Sequence, residues 1–408
     1  MIYGILSDIL SLIILPVWII AGIFKPKLLK GLKEKMGFYP KSDFNSPIVF
    51  YGVSVGEVLA IENLIKKVRE IFPSQQIVVM TGTATGQEIA KKKLSNTVDF
   101  ITYFPLDFPI FVKRMIKKIN PKIVFIAETE LWPNFAYLTK KNNIKTFIIN
   151  ARLSDRTFNS YKKLKFLFKP VLKNYTSIFP QSRQDCEKFI TLGADKNTTK
   201  IMGNLKFDIK RPDISSLDIQ KHTPTIIAGS THTGEDEIIL DSFVELKKEI
   251  KVLKLLIAPR HLERCEKVFK LMTKTGLKCK LRSQKDYDAD IILIDTTGEL
   301  GKLYSICDVA FIGGSFNKTG GHNPLEATVF AKPVISGNCI HNFKDIYAIL
   351  TSCNAAKVVN TKDELTEELR HLLTNKTYYD DAVSKCEKVF EENAGALKFV
   401  TDVLQTII

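Results

Sequence analysis

Short apolar segments alternate with amphipathic helical patterns along most of this chain, and this alternation constrains the fold more than any other feature. The apolar segments are rich in β-branched and aromatic residues, which is typical of buried strands. Helical patterns fall between most of them, as at residues 58–71, 84–94 and 108–119. This βα order predicts mostly parallel sheets with helices on both faces. The predicted strands are residues 48–53, 76–80, 100–103, 123–127, 146–149 and 177–179 in a first series, and 225–228, 255–258, 291–294, 309–312 and 334–335 in a second.

A polar stretch with two prolines, residues 208–224, separates the two series of strands. A chain of 408 residues also exceeds the usual size of a single domain. We therefore predict two doubly wound domains, residues 25–207 and 225–393, joined by this linker. Because ligands bind beyond the carboxyl ends of parallel strands, we expect the two domains to face a ligand-binding cleft. We expect residues 394–408 to form a helix that packs back on the first domain.

Residues 1–24 are almost wholly apolar and are followed by a cluster of lysines. As a helix rising about 1.5 Å per residue, this segment is long enough to cross a bilayer. The lysines that follow place the body of the chain on the cytoplasmic side of the membrane. Asp8 and Pro16 interrupt the apolar segment, so a helix lying in the membrane interface is an open alternative to a single span. We predict a membrane anchor.

The net charge of +15, from 59 Lys and Arg against 44 Asp and Glu, implies an anionic partner such as a phosphorylated substrate, a membrane surface or a nucleic acid. The basic residues form no dense arm, and the chain carries no RNA-binding or zinc-finger pattern, which argues against nucleic acid. The seven cysteines form no C-x-x-C pair. We predict that they are buried free thiols in a reducing compartment.

The segment from Gly313 to Glu326 reads G-G-S-F-N-K-T-G-G-H-N-P-L-E and lies between a predicted strand and a predicted helix. Glycines allow close approach of the backbone, and free N–H groups at a helix start attract phosphate. The Glu326 carboxylate would then accept hydrogen bonds from ribose hydroxyls. The same letters also describe an ordinary helix start, with Asn323 as the N-cap, Pro324 in the first turn and Glu326 completing a capping box. Both interpretations are open at this point.

Polar motifs follow most of the predicted strands, at the edge where parallel sheets bind ligands. They are S-V-G-E at 54–57, T-G-T-A-T-G at 81–86, E-T-E-L-W-P-N at 128–134, N-A-R-L-S at 150–154, G-N-L-K-F-D at 203–208, P-R-H at 259–261, G-E-L at 298–300 and G-G-H-N-P-L-E at 320–326. In this order, over nearly the whole chain, they resemble the 3-deoxy-D-manno-oct-2-ulosonic acid (Kdo) transferase family. The resemblance implies a membrane-anchored, inverting glycosyltransferase of the GT-B type, which needs no cofactor. Such an enzyme transfers Kdo from CMP-Kdo to the lipid A precursor at the inner leaflet of the cell inner membrane.

The resemblance also implies catalytic roles for three residues of the first domain. Glu57 matches the general base, which takes the proton of the acceptor hydroxyl. From the residues alone, an acidic side chain suits a helix start, where the dipole lowers its pKa, although burial would oppose this effect. Glu128 matches a residue that supports the transition state, and Glu130 competes for that role. Lys206 would steady the negative charge as CMP leaves.

The second domain carries the residues that the resemblance assigns to the nucleotide. Arg260, after Pro259, has a guanidinium fork that suits a phosphate. Ser230 and Ser315 are further candidate phosphate contacts, and His232, His261 and His322 lie at predicted strand ends without a metal-ligand pattern. The resemblance implies that the cytosine is held through backbone groups of Thr297, Gly298 and Glu299, and the ribose and phosphate by Asn323, Pro324, Leu325 and Glu326.

Two D-x-D patterns, formed by Asp286, Asp288 and Asp290, precede a predicted strand instead of following one. We interpret them as a solvated turn and predict no metal requirement, because a nucleoside monophosphate donor has no pyrophosphate to bridge. Two other functions fit the architecture and the charge. One is a membrane-associated GT-B transferase that uses a UDP-sugar, and the other is a non-enzymatic adaptor that binds membrane or nucleic acid through its basic surface.

Overall fold

The structure is a computed structural model that describes residues 29–40, 44–221 and 223–408. These residues form two compact units. One contains the described residues up to Asp208 together with Asn393–Ile408, and the other contains Ile209–Glu392. The predicted anchor at residues 1–24 lies outside the described residues. Within the described ranges, no helix has the length and apolar character needed to cross a membrane.

The first unit contains a six-stranded parallel sheet with the strand order β3-β2-β1-β4-β5-β6. Its central strands are buried on both faces, which explains why they are continuously apolar. The aromatic rings of Phe50, Phe125 and Phe147 stack across three adjacent strands, with centroids 5.3 Å apart at each step. The strands are β1 (Ile48–Gly52), β2 (Ile77–Thr81), β3 (Phe100–Tyr103), β4 (Ile123–Ala127), β5 (Lys145–Ala151) and β6 (Ser177–Pro180).

Helices connect these strands, and a helix from the carboxyl terminus completes the unit. The helix before the first strand is α1 (Leu32–Lys35), and the helix after the last strand is α8 (Arg183–Leu192). The helices between the strands are α2 (Val55–Ile71), α3 (Ala84–Leu94), α4 (Pro109–Ile119), α5 (Pro133–Lys141), α6 (Asp155–Lys163) and α7 (Lys165–Leu172). The terminal helix, Ala396–Ile407, buries Val400 and Leu404 in the apolar core beneath α2. The Asp208 carboxylate accepts hydrogen bonds from the N–H groups of Gly395 and Leu397, so it caps the start of that helix.

The second unit contains a seven-stranded parallel sheet with the order β13-β12-β11-β7-β8-β10-β9. Its strands are β7 (Thr225–Thr231), β8 (Lys254–Pro259), β9 (Cys279–Leu281), β10 (Ile291–Leu293), β11 (Val309–Ile312), β12 (Val334–Gly337) and β13 (Ala356–Val359). Its helices, and those that end the chain, are α9 (Glu235–Glu249), α10 (Cys265–Thr273), α11 (Leu300–Leu303), α12 (Leu325–Thr328), α13 (Lys344–Ser352), α14 (Lys362–Thr374), α15 (Lys376–Asn393) and α16 (Ala396–Ile407). Single 3-10 turns lie at Leu205–Phe207, Leu262–Arg264, Arg282–Gln284, Tyr304–Ile306 and His341–Phe343.

The two doubly wound α/β units predicted from the sequence are confirmed, but β9 and β13 were missed. Both are edge strands, and each pairs on one side with an interior strand of matching register. β9 spans three half-buried residues, and β13 exposes Lys357. Their own apolar content is therefore too low to predict strands, and pairing with the sheet determines their conformation.

The prediction of free cysteines agrees with the structure, in which all seven cysteines are free. Their predicted burial is only partly correct. Cys307 and Cys386 are buried, whereas the other five are half-buried. Cys307 lies just before β11, and Cys386 lies on the inner face of α15.

Leu404→Ala tests the contribution of the terminal helix to the first unit. Because Leu404 is fully buried, its truncation will lower the free energy of unfolding by about 2–5 kcal/mol. Gln405→Ala, at the exposed neighbouring position, will change it by less than about 0.5 kcal/mol. Urea unfolding followed by circular dichroism measures both values. Equal stabilities of the two variants would contradict the observed packing.

Candidate functional site

Three glutamates lie at the carboxyl-terminal edge of the first sheet. Glu57 is in the first turn of α2, directly after β1, and Glu128 and Glu130 follow β4. Strands β1 and β4 are adjacent and parallel, so the residues that follow them share one edge of the sheet. Glu128 raises the pKa of Glu57, and both raise the pKa of Glu130. The topology therefore gathers the three candidate carboxylates into one acidic cluster.

Glu57 turns back over the start of its own helix. Its carboxylate accepts hydrogen bonds from the Val53 N–H (2.7 Å) and the Ser54 hydroxyl (3.0 Å). Burial raises the pKa of Glu57, and the charge of Glu128 adds to the increase, while the hydrogen bonds oppose it. Burial therefore outweighs the hydrogen bonds that Glu57 accepts at the start of its helix. A carboxylate with a raised pKa is the stronger proton acceptor.

Glu130 is the most strongly perturbed carboxyl group of the cluster. Burial raises its pKa to about 7, and the charges of Glu57 and Glu128 contribute to the increase. The Trp132 indole favours the charged form of Glu130, although its buried N–H has no hydrogen bond of standard geometry with any described residue. A carboxyl group with a pKa near neutrality exchanges a proton readily at physiological pH. Proton exchange by Glu130 near neutral pH is a property that the sequence did not indicate.

The ends of β4 and β5 have an unusual backbone conformation. Glu128 and Asn150 both adopt positive φ, at 57° and 53°. Such a conformation costs roughly 1–3 kcal/mol in residues other than glycine and is common at functional sites. Asn150 is buried, and its side-chain oxygen accepts a hydrogen bond from the Leu205 N–H (3.0 Å). This bond ties the turn that carries Lys206 to the edge of the sheet where the acidic cluster lies.

Asp107 holds the end of the E-T-E-L-W-P-N segment in place. This role was not predicted from the sequence. Its carboxylate accepts hydrogen bonds from the N–H groups of Asn134 (3.0 Å) and Phe135 (2.7 Å) at the start of α5. Burial raises the pKa of Asp107 to about 7 against the effect of these two bonds. Asp107 stands two residues before Pro109, and nothing around it in the sequence predicts that it caps α5, which begins at Pro133. The contact is decided by tertiary structure.

In the second unit, the P-R-H and H-N-P-L-E motifs lie close together. Pro259 ends β8, and the Arg260 N–H donates to the Thr231 carbonyl (3.0 Å). Partial burial raises the pKa of Glu326, and the nearby Arg260 guanidinium works in the opposite direction. The Arg260 side chain is exposed, so it is available to a ligand. The structure thus brings the candidate phosphate contact beside the candidate ribose contact.

The candidate cytosine contacts lie after β10, where Thr297 and Gly298 are exposed. The Glu299 carboxylate is already engaged, because the buried Arg282 donates to it (2.9 Å) and so does the Thr296 hydroxyl. Arg282 also donates to Asp218 (2.5 Å). These bonds leave the backbone of the 297–299 segment, more than the Glu299 carboxylate, to contact a base. The contact between this segment and a cytosine stays a prediction.

The glycine-rich turn differs from the expected phosphate site. The N–H groups of Gly314, Ser315 and Phe316 all donate to the buried Glu235 carboxylate, so they are not free. The Ser315 hydroxyl donates to the Ile312 carbonyl and accepts from the Gly337 N–H. The predictions of a phosphate nest in this turn and of a Ser315–phosphate contact are therefore wrong.

The segment after the turn agrees with the N-cap part of the second interpretation of these residues. Asn323 caps the Leu325 N–H (3.1 Å) at the start of the four-residue helix α12. Its neighbour Pro324 is buried, whereas the Glu326 side chain is open to solvent even though protein atoms crowd its carboxylate enough to raise its pKa. Of the four residues assigned to ribose and phosphate, Asn323 and Glu326 thus present polar side chains near Arg260, whereas Pro324 and Leu325 shape the backbone.

Three histidines lie around these loops. His232 and His322 stack with ring planes 9° apart, and their Nε2 atoms are 2.9 Å apart. Burial lowers the pKa of His322 to about 4, and Arg260 contributes to the decrease. Ser230, at the end of β7, has a positive φ of 56°.

Within the described part of the chain, no three His, Cys, Asp or Glu side chains are grouped to hold a metal ion. The three aspartates of the D-x-D patterns pair instead with Lys278, Lys280 and Lys247.

Two Rossmann-like units, each with polar residues at the carboxyl ends of its parallel strands, are the architecture of the GT-B class of glycosyltransferases. The family model described as 3-deoxy-D-manno-octulosonic-acid transferase (kdotransferase) matches residues 30–209. The chain is 36% identical to the 3-deoxy-D-manno-octulosonic acid transferase of Haemophilus influenzae, over 94% of this chain and 93% of the relative. It is 31% identical to the enzyme of the same name from Rickettsia bellii, over 96% and 94%. The chain therefore belongs to the 3-deoxy-D-manno-octulosonic acid transferase family.

The fold is also similar to that of a solved structure outside this family. The crystal structure of Acinetobacter baumannii MurG matches with a TM-score of 0.55 at 12% identity and covers 88% of this chain and 99% of that chain. At that identity the likeness concerns the fold alone. The resemblance drawn from the sequence motifs and the GT-B fold that it implied are thus confirmed.

Glu130→Gln tests the perturbed carboxyl group through the pH dependence of stability. A carboxyl group whose pKa is higher in the folded state does not affect stability below its unfolded pKa of 4.5. As pH rises from there to about 7, the unfolded chain loses its proton first, and stability falls. The decrease in unfolding free energy between pH 5 and pH 8 will therefore be smaller in Glu130→Gln than in the wild type.

The measurement is urea unfolding of both proteins at pH 5 and at pH 8. Glu70→Gln, which removes an exposed carboxylate from α2, is the control and will follow the wild type. If Glu130→Gln loses as much stability as the wild type between pH 5 and pH 8, the pKa of Glu130 is not raised in the folded protein.

Proposed function

We propose that this chain transfers Kdo from CMP-Kdo to the lipid A precursor at the inner leaflet of the cell inner membrane, with inversion at the anomeric carbon. Membership of the family makes it a Kdo glycosyltransferase of lipopolysaccharide biosynthesis. The observation that carries the finer proposal is the acidic cluster, in which Glu57 has a raised pKa at the edge of the first sheet. A transfer to an alcohol acceptor needs a base of this kind.

In the proposed reaction, a hydroxyl oxygen of the acceptor attacks the anomeric carbon of Kdo. The new carbon–oxygen bond forms as the bond to the CMP phosphate breaks, and CMP leaves with the electron pair. Glu57 takes the proton of the attacking hydroxyl. Glu128 and Glu130 provide negative charge that stabilises the positive charge developing on the sugar ring. Lys206 balances the charge of the departing phosphate.

The second unit would bind the donor through the residues gathered at its strand ends. Arg260 would pair with the phosphate, and the backbone of Thr297, Gly298 and Glu299 would contact the cytosine. Asn323 and Glu326 would hold the ribose. A donor with one phosphate has no pyrophosphate for a divalent ion to bridge, so we propose a reaction without a metal.

A surface of the first unit supports a membrane-bound acceptor. We name residues 155–172, the helices α6 and α7, the basic–apolar hairpin. Leu164, Phe166 and Leu167 are exposed in it, with Phe166 at 72%, and α6 buries none of its residues. Lysines 162, 163, 165 and 169 surround these apolar side chains. Exposed apolar groups among lysines suit a membrane with anionic lipids.

The basic–apolar hairpin is also close to the acidic cluster. It begins directly after the N-A-R-L-S segment, at the same edge of the sheet. Burial raises the pKa of Tyr161 in this hairpin, and the charge of Glu130 contributes to the increase. A lipid acceptor held at the membrane surface would therefore present its sugar hydroxyls near the proposed base.

Glu57→Gln tests the proposed base. Loss of a general base lowers the rate by about 10²–10⁴-fold, and the neutral amide retains the shape of the site. The measurement is the mass of the lipid product after incubation with CMP-Kdo and a tetra-acylated lipid A precursor. CMP binding, measured by calorimetry, will be unchanged, and Glu70→Gln will retain full activity.

Two outcomes would contradict the proposal. Transfer at the wild-type rate by Glu57→Gln would exclude its role as the base. Stabilisation against heat by UDP and not by CMP would favour the alternative UDP-sugar transferase, because a ligand that binds only the folded state raises its stability.

Phe166→Glu tests the basic–apolar hairpin. The added negative charge opposes contact with anionic lipid, so KM for the acceptor in anionic vesicles will rise by about tenfold. KM for the same acceptor dispersed in detergent will stay unchanged. Val252→Glu, at an exposed apolar position of the second unit, is the matched control and will alter neither value. An equal change in vesicles and in detergent would refute the membrane contact.

A further inference from the structure

Glu235, the first residue of α9, is a fully buried carboxylate that accepts four backbone N–H groups. One oxygen accepts from His232 (2.9 Å) and Gly314 (2.7 Å), and the other accepts from Ser315 (2.8 Å) and Phe316 (2.9 Å). Its side chain has 0% exposure. A buried carboxylate is stable when hydrogen bonds replace its hydration. Glu235 therefore fills this nest of N–H groups.

The peptide units that Glu235 holds also hold the candidate ribose and phosphate segment. The Gly314 carbonyl accepts from the N–H groups of Gly320 (3.1 Å) and Gly321 (2.7 Å), and the Gly313 carbonyl accepts from the His322 N–H (3.2 Å). His322 directly precedes Asn323. The N–H groups of the turn thus bind Glu235. Its carbonyl groups bind the residues that precede Asn323.

A second connection joins the same two loops. The His232 N–H is bound by Glu235, and the His232 side chain contacts the His322 side chain through their Nε2 atoms, 2.9 Å apart. The two loops also touch through their backbones, because a Cβ atom on Gly313 would lie 2.4 Å from the Ser230 carbonyl oxygen. The β7–α9 turn, the glycine-rich turn and the segment before Asn323 therefore form one hydrogen-bonded assembly centred on Glu235.

We propose that Glu235 is a positioning residue for the nucleotide-sugar donor, which acts as an internal anion that fixes the glycine-rich turn and, through it, residues 320–326. This inference rests on the proposed function, because it assumes that this segment binds the donor. Glu235 is buried and engaged by four donors, so it acts on the donor only through the loops. In the proposed function, the acceptor and the proton transfer belong to residues of the first unit.

Glu235→Gln separates the negative charge from the shape of the side chain. An amide retains one accepting oxygen, and its NH₂ group faces two of the four N–H groups as a donor. Two hydrogen bonds to a charged group are lost in either orientation of the amide. Glu235→Gln will therefore raise KM for CMP-Kdo and the Kd for CMP by about tenfold or more.

The experiment uses the full chain in a transfer assay and CMP calorimetry. In Glu235→Gln, kcat at saturating donor and KM for the lipid acceptor will stay within about twofold of the wild type, since these depend on the first unit. Asp241→Asn, which removes a charge from the exposed face of the same helix, is the control and will change none of these constants. A general loss of folded protein would lower the apparent kcat and leave both KM values unchanged.

His322→Gln is the second variant, for the case in which Glu235→Gln does not fold. It retains all four bonds to Glu235 and removes the side-chain contact between His232 and His322. It will raise the Kd for CMP by roughly threefold, without a change in KM for the acceptor. Wild-type donor constants in a folded Glu235→Gln, or in His322→Gln if the first variant fails to fold, would overturn the inference.

The wild-type protein separates failure of this inference from failure of the proposed function. A wild type that neither binds CMP nor forms the Kdo product contradicts the proposed function. A wild type that does both, beside a folded Glu235→Gln with the same donor constants, contradicts only the role of Glu235.

Discussion

Parallel strand pairing is the constraint on which the rest of this structure depends. In each unit it places the carboxyl ends of neighbouring strands along one edge, so residues distant in the chain become neighbours. Glu57 and Glu128 meet because β1 pairs with β4, and Arg260 lies near Glu326 because β8 and β11 both flank β7. The apolar strands supply the stability, and the loops that leave this edge are free to carry polar side chains.

Carboxylates removed from solvent have two different arrangements in this protein, which differ in the number of their hydrogen-bond donors. Glu235 has four N–H donors, so it is fully satisfied and holds loops in place. Glu57 has only two donors, and burial raises the pKa values of Glu57 and Glu130, with neighbouring carboxylates adding to both increases. A carboxyl group with a pKa near neutrality exchanges a proton readily, whereas a carboxylate with four N–H donors is suited to holding loops in place.

The glycine-rich turn shows where interpretation of the sequence reached its limit. Its glycines were recognised as a sign of close backbone approach, and that approach is present. The group that approaches is Glu235, about 80 residues earlier in the chain, and not a phosphate. In the sequence, Glu235 ends the polar segment G-S-T-H-T-G-E at 229–235. No local pattern indicates which distant N–H groups a buried carboxylate will accept, because that depends on how two loops pack.

The sequence by itself determined the two doubly wound sheets, most of their strands and the motifs that identify the family, because apolar periodicity and motif order are local properties. Only the tertiary structure decided the edge strands β9 and β13, the raised pKa of Glu130 and the occupancy of the glycine-rich turn. Each of these depends on neighbours distant in the chain: a paired strand, a nearby charge or a buried hydrogen-bond acceptor. Such contacts form only when the chain folds, so no local pattern in the sequence predicts them.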